Sequence, residues 1–120
     1  MWNSIKYLLV AVFFKINSIV INADIIIDDS FGSPGVLQGP NFKITENLGR
    51  VVGTNLFHSF SEFSLQNGES VTFSAINKIE NIIGRVTGSE ISEIDGIISS
   101  DIIGADLYLL NSNGFLFKEN

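Results

Sequence analysis

Gly104-Ala105-Asp106-Leu107-Tyr108-Leu109-Leu110-Asn111-Ser112-Asn113-Gly114-Phe115 is the stretch on which the fold turns. Ala105, Leu107 and Leu109 fall on alternate positions, so on a strand they share one face and bury it together. The segment 111–114 then breaks the alternation, because Asn tolerates and Gly freely adopts the backbone angles of a tight turn. A new apolar burst starts at Phe115.

The same pattern runs back through the chain. β-branched and aromatic residues gather at 25–27, 42–45, 63–65, 71–73, 79–86, 94–98, 105–110 and 115–117, with Gly, Asn, Asp and Ser between them. Val71 and Phe73 repeat the one-face alternation, and no long helical period intervenes. An all-β chain is expected. After Gly68 the bursts are nearly evenly spaced, which suits short strands joined by turns. A sandwich would press the buried face against a second sheet, whereas a solenoid would turn it into its own coil, and the periodicity fits both. Asn67-Gly68, between two bursts, predicts a hairpin turn. The segment 31–40, with three Gly and both prolines, predicts a surface loop.

Composition narrows the function classes. Hydrophobic residues make up 45% of the 120 residues and charged residues 17%, and there are ten Phe, so the chain has a core to pack. It has no Cys, which excludes a disulfide framework and thiolate metal sites and suits a chain that must cross an oxidising compartment unfolded. All 13 acidic residues lie at or beyond Asp24, while Lys6 and Lys15 precede it. The five remaining basic residues against 13 acidic ones leave a charge of −8 from there on. Lys43, Arg50, Lys78, Arg85 and Lys118 are scattered along the chain, so no nucleic-acid partner is expected.

The first residues read as a leader. Lys6 supplies a positive charge, 7–14 is an unbroken apolar run, and Ala23 is a small residue just before Asp24. Lys15 ends the run well short of the ~20 apolar residues a bilayer span needs. The expected organisation is a signal peptide at 1–23 and one domain at 24–120.

Three motifs, in order, carry a family resemblance. Gly53-Thr54-Asn55-Leu56-Phe57-His58-Ser59-Phe60-Ser61-Glu62-Phe63 resembles the Gly-x-Asn-Leu-Phe-His-Ser-Phe signature of the filamentous-haemagglutinin-type N-terminal secretion domain, the two-partner secretion (TPS) domain. Ile83-Gly84-Arg85-Val86-Thr87-Gly88, followed by Ile94-Asp95-Gly96, resembles that family's Ile-x-Arg-Val-Thr-Gly and Ile-Asp-Gly elements. The opening stretch is similar to its Ala-Asn-Leu-Tyr-Leu-Ile-Asn-Pro-Asn-Gly-Ile, with Asp106 in place of Asn and Ser112 in place of Pro.

The resemblance implies an all-β fold: a right-handed, single-stranded parallel β-helix with an N-terminal β cap and hairpin. It also implies a non-catalytic export module at the start of a large adhesin, haemagglutinin or toxin, secreted or displayed on a Gram-negative cell surface. The implied partner is an outer-membrane β-barrel transporter whose periplasmic domains capture the extended chain. Contact with the membrane is confined to export, no cofactor is involved, and any host or bacterial receptor is bound through parts beyond this chain, which reads as a truncated copy of the domain. Asn111, Asn113 and Gly114 carry over as the secretion motif. Gly53, Asn55, Phe57, His58, Phe60, Phe63, Arg85, Val86, Thr87, Gly88, Asp95 and Gly96 carry over as the signature.

Other chemistry is poorly supported. His58 beside Ser59 could suggest a base and a nucleophile, but neighbours on a strand point to opposite faces and no Gly-x-Ser-x-Gly elbow occurs. Asp28-Asp29 supplies too few oxygens for calcium and reads as a solvated loop. Phe57, Phe60 and Phe63 could form the aromatic strip of a carbohydrate-binding module or surface adhesin, the runner-up function, but core or cap packing is expected of them. A polysaccharide-cleaving enzyme would need acids and bases converging on an outer face, and the basic residues are too few and dispersed.

Overall fold

The structure is a computed structural model that describes residues 25–119. The leader read at 1–23 lies outside them. Among the described residues the regular elements are eleven strands and one short 3-10 turn. In chain order the strands are β1 (Ile25–Ile27), β2 (Gly35–Val36), β3 (Asn41–Thr45), β4 (Arg50–Val52), β5 (Asn55–Phe63) and β6 (Ser70–Ser74). They continue as β7 (Asn81–Val86), β8 (Ser92–Ile94), β9 (Ile97–Ser100), β10 (Asp106–Asn111) and β11 (Phe115–Phe117), and the 3-10 turn is Glu46–Leu48.

Parallel pairing dominates the body. β5, β7 and β10 lie side by side, β3, β6 and β9 form a second ladder, and β8 pairs with β11 in a third. An isolated bridge from Leu65 to Ile94 extends that third ladder back one strand. The chain therefore returns to the same ladder at similar but unequal intervals: Asn55 meets Asn81, 26 residues on, Thr72 meets Ser99, 27 residues on, and Asn41 meets Ser70, 29 residues on. Because register is conserved, Leu56, Ile82 and Leu107 stack in one column and Phe42, Val71 and Ile98 in another. Apolar side chains from the ladders fill a common core that includes Ile25, Phe42, Ile44, Phe60, Phe63, Phe73 and Ile82.

The sheets are nonetheless mixed. β1 and β4 both run antiparallel along the edge of β5 opposite β7, and β2 runs antiparallel to β1. The all-β class is as expected, while a uniform stack of parallel strands is not what these residues form. The antiparallel strands have a physical use, since they occupy backbone N–H and C=O groups that β5 would otherwise expose as a template for aggregation.

Two local expectations need correcting. Asn67-Gly68 does form a turn, closed by the Glu69 N–H donating to the Gln66 carbonyl at 3.0 Å, with Gly68 at φ 87°. Its flanks do not pair with each other, however. Leu65 bridges Ile94, whereas β6 lies between β3 and β9, so the turn carries the chain from one sheet to another. The hairpin belongs to β4 and β5, where Val52 faces Asn55 across Gly53-Thr54 and Gly53 takes φ 62°. Likewise, the burst at 94–98 is two strands, β8 and β9. The corner at Asp95-Gly96 divides them, and a Cβ on Gly96 would collide with the Glu69 carbonyl oxygen. The loop at 31–40 contains the two residues of β2.

A bulge in β5 explains an odd spacing. β1 pairs Ile26 with Glu62 and Ile27 with Phe60, which leaves Ser61 as an extra residue. An extra residue shifts the side-chain alternation by one. Phe60 and Phe63, three apart, can therefore both point inward, at 0% and 1% exposure, with ring centroids 5.1 Å apart.

Candidate functional site

Two arrangements use the residues the sequence singled out. The first is a corner where successive turns stack. At 111–114, the Gly114 N–H donates to the Asn111 carbonyl at 3.0 Å and the Asn113 N–H to Asn111 Oδ1 at 2.9 Å. Gly114 sits at φ 104°, an angle that a side chain would strain. The amides of both Asn side chains then reach the preceding turn. Asn111 Nδ2 donates to the Glu90 carbonyl at 3.1 Å and to Ser92 Oγ at 2.9 Å, and Asn113 Nδ2 donates to the Gly88 carbonyl at 2.8 Å. The Ser92 N–H returns a bond to the Gly114 carbonyl at 3.0 Å.

Gly88 is a glycine for steric reasons. A Cβ there would fall on the Ser61 carbonyl oxygen, so the bulge of β5, Gly88 and Asn113 are stacked in one close column. This ties the turn at 111–114 to Thr87-Gly88 and to β5. The tie is made by the Asn side-chain amides on the Glu90 and Gly88 carbonyls and the Ser92 hydroxyl.

The second arrangement is a clasp over the outer face of β5 and β7. The Asp28 carboxylate accepts hydrogen bonds from Ser59 Oγ at 2.7 Å, Thr87 Oγ1 at 2.7 Å and the Ser30 N–H at 2.9 Å. Arg85 Nε donates to Ser59 Oγ at 2.9 Å, and an Arg85 Nη donates to Ser30 Oγ at 3.1 Å. The Arg85 and Arg50 guanidinium carbons lie 5.9 and 5.1 Å from the Phe31 ring centroid, within cation–π range. Partial burial pushes the Asp28 pKa up, but the bonds from Ser59, Thr87 and Ser30 outweigh it and hold the carboxyl at about 2. The segment after β1 is thus fastened across three strands.

From sequence, Asp28 reads as a solvated loop residue and the basic residues as scattered. The structure corrects both. Asp28 reaches Thr87, 59 residues away, and Arg50 and Arg85 meet over one aromatic ring. No local pattern announces a contact of that range, although the adjacent Arg85 and Thr87 of the signature are its other half. We expect Asp28→Ala to lower stability by about 1–2 kcal/mol, the usual cost of losing charge-assisted bonds at a half-exposed site. Coupling with Thr87→Val in a urea double-mutant cycle is the check, and strictly additive effects would contradict the contact.

The remaining signature residues divide by face. His58 and Phe60 point into the core, while Ser59 on the opposite face is spent on Asp28 and Arg85. No His58–Ser59 dyad forms. His58 is 2% exposed, its Nε2 has no hydrogen-bond partner, and burial pushes its pKa down to about 4. Its ring centroid is 5.6 Å from that of Phe73. Phe57 is half-buried on the outer side, so Phe57, Phe60 and Phe63 do not make one surface strip. Asn55 accepts a bond from Asn81 Nδ2 at 3.0 Å on the neighbouring strand. Val86 is buried in the core, Gly53 shapes the β4–β5 hairpin, and Asp95 and Gly96 form the β8–β9 corner.

Beside the stacked corner runs a groove of about 380 Å³ with Glu62, Glu90, Glu93, Asp95 and Lys118 on its walls. Among the described residues no three His, Asp or Glu side chains converge as a metal site, and no helix is long and apolar enough to span a membrane.

Residues 23–120 match the family model described as TPS secretion domain. No curated protein and no solved structure matches the chain.

Proposed function

The chain belongs to the TPS secretion domain family, and on that premise we propose that 24–120 acts as the export module of a large surface protein of the adhesin, haemagglutinin or toxin type. The family's domain is non-catalytic, its partner is an outer-membrane TpsB transporter, and its proteins are secreted. In this reading 1–23 is a signal peptide that brings the chain across the inner membrane. The transporter's periplasmic domains take it up while extended, and it folds on the outer side.

The observation that carries the reading is the stacked corner. Asn111 and Asn113 spend their side-chain amides on carbonyls and a hydroxyl of the preceding turn, so the motif assigned to export is also the joint that adds one set of strands to the next. The repeated in-register parallel pairing of strands one circuit apart supports reading the ladders as coils of a right-handed parallel β-helix, capped by the antiparallel β1, β2 and β4. In a solenoid each coil contacts only its neighbours, so a first stable pair of coils nucleates the rest. Burial of successive coils outside the cell then opposes backsliding.

The test is export of a fused passenger in cells making the cognate transporter. Asn111→Ala with Asn113→Ala removes three side-chain bonds to the adjacent turn, a loss of about 2–3 kcal/mol at roughly 1 kcal/mol per bond. We expect secreted passenger to fall several-fold while synthesis is unchanged. Undiminished secretion would remove the motif from the mechanism.

A further inference from the structure

The turn at 111–114 contains Asn113-Gly114, the dipeptide in which an asparagine side chain is least shielded from its own backbone. The following residue has no Cβ to block the approach of its amide nitrogen. In an extended, hydrated chain that nitrogen, once its proton is lost, can attack Asn113 Cγ. The N–Cγ bond forms, the Cγ–Nδ2 bond breaks, and ammonia leaves with the proton. Water then opens the cyclic imide at either carbonyl, giving aspartate or isoaspartate.

Folding ties up both the attacking nitrogen and the leaving amide. The Gly114 N–H is committed to the Asn111 carbonyl at 3.0 Å, which keeps both its proton and its direction. The leaving amide is held by the Gly88 carbonyl at 2.8 Å, and the Asn113 N–H is held by Asn111 Oδ1 at 2.9 Å. Rotating the side chain toward the Gly114 nitrogen would break the bond to Gly88 first. We propose that Asn113 is a spontaneous deamidation site of the unfolded chain and that docking of its side chain on the preceding turn closes the site.

The modification and the fold then exclude each other in both directions. Aspartate at 113 has no donor for the Gly88 carbonyl and sets a negative charge against it. Isoaspartate also lengthens the backbone by one carbon just before β11, out of step with the Phe115–Ser92 register. A chain delayed in the extended state would therefore lose the turn it needs for folding, whereas a promptly folded chain keeps it. This follows from the turn geometry whether or not the export reading holds.

The test follows deamidation at 113 by peptide mass spectrometry in the purified chain at mildly alkaline pH. Samples span a urea series across the unfolding transition, which is monitored in parallel. Asn67-Gly68, the same dipeptide on an exposed turn, reports in the fully unfolded samples that conditions are reactive. We expect accumulation at 113 in high urea and a rate at least about tenfold lower on the folded baseline, equivalent to a local opening cost of about 1.4 kcal/mol. Equal rates on the two baselines would overturn the proposal. Gly114→Ala in high urea, where folding is irrelevant, should slow the reaction by crowding the attacking nitrogen, and an unchanged rate would also overturn it.

Discussion

Phe60→Ala should destabilise the domain by about 3–5 kcal/mol, whereas Phe57→Ala, three positions earlier on the same strand, should cost about 1 kcal/mol or less. Phe60 is fully buried, its ring packed edge-on against Phe63 at 5.1 Å and near His58 at 6.1 Å. Space for it comes from Gly84 on the neighbouring strand, where an added Cβ would sit 3.3 Å from the Phe60 ring. Truncation leaves a cavity bounded by rigid strands, which cannot collapse as a loop would. Phe57 lies on the outer face, opposite Arg50 and Ile83 in register, and its loss removes cross-strand contacts only. Urea midpoints of the two variants decide the matter. Similar losses would mean that β5 does not present alternate faces to core and exterior. Against a typical domain stability of about 5–15 kcal/mol, the Phe60 variant stands near the edge of unfolding.

That pair of phenylalanines also shows what could be read from sequence. Alternation at 105, 107 and 109 and at 71 and 73 gives the strands and their buried face, because side-chain direction on a strand is a local property. The three-residue spacing of Phe57, Phe60 and Phe63 does not fit that period. Only the bulge at Ser61, fixed by pairing with β1 at a distance of more than thirty positions, lets the last two share the interior. Asn67-Gly68 announced a turn correctly, but a turn does not say which strands will pair. The partners of Leu65 and of β6 lie well outside it, and interior stacking selects them.

The candidate site divides in the same way. Asn111, Asn113 and Gly114 stand out in sequence as turn formers, and the turn is there. Their contacts with Gly88, Glu90 and Ser92 depend on how the preceding turn is positioned, which no window around 111–114 contains. The Asp28 clasp left still less trace, since its carboxylate, two hydroxyls and guanidinium come from three separate stretches of the chain. The motif pattern marked Arg85 and Thr87 without indicating that Asp28 is what they secure.

Acid should weaken the fold well above the carboxylate range, by about 3 kcal/mol between pH 6.5 and pH 4, and His58 is the reason. In the unfolded chain its imidazole titrates near 6.5, but in the core, with no partner for Nε2, burial pushes the pKa down to about 4. The fold thus favours the neutral form. Above pH 6.5 the imidazole is neutral in both states and carries no penalty. As pH falls below 6.5 the unfolded chain takes up a proton that the folded one refuses, and stability drops until the folded pKa is reached near 4. With 1.36 kcal/mol for each tenfold difference in proton affinity, and half-protonation at each end of the window, the fall from 6.5 to about 4 comes to about 3 kcal/mol. Asp28 adds its own loss only lower down, as its carboxyl protonates between its ordinary pKa of 3.8 and about 2, so the two windows separate. Urea midpoints from pH 7.5 to 4.5 should fall steadily for the wild-type chain and far less for His58→Leu. A parallel decline in both would place the sensitivity elsewhere and would mean that the buried imidazole has found a partner. The direction also bears on where this domain folds well. A neutral or mildly alkaline medium leaves the core intact, and an acidified one shifts the balance toward the unfolded chain.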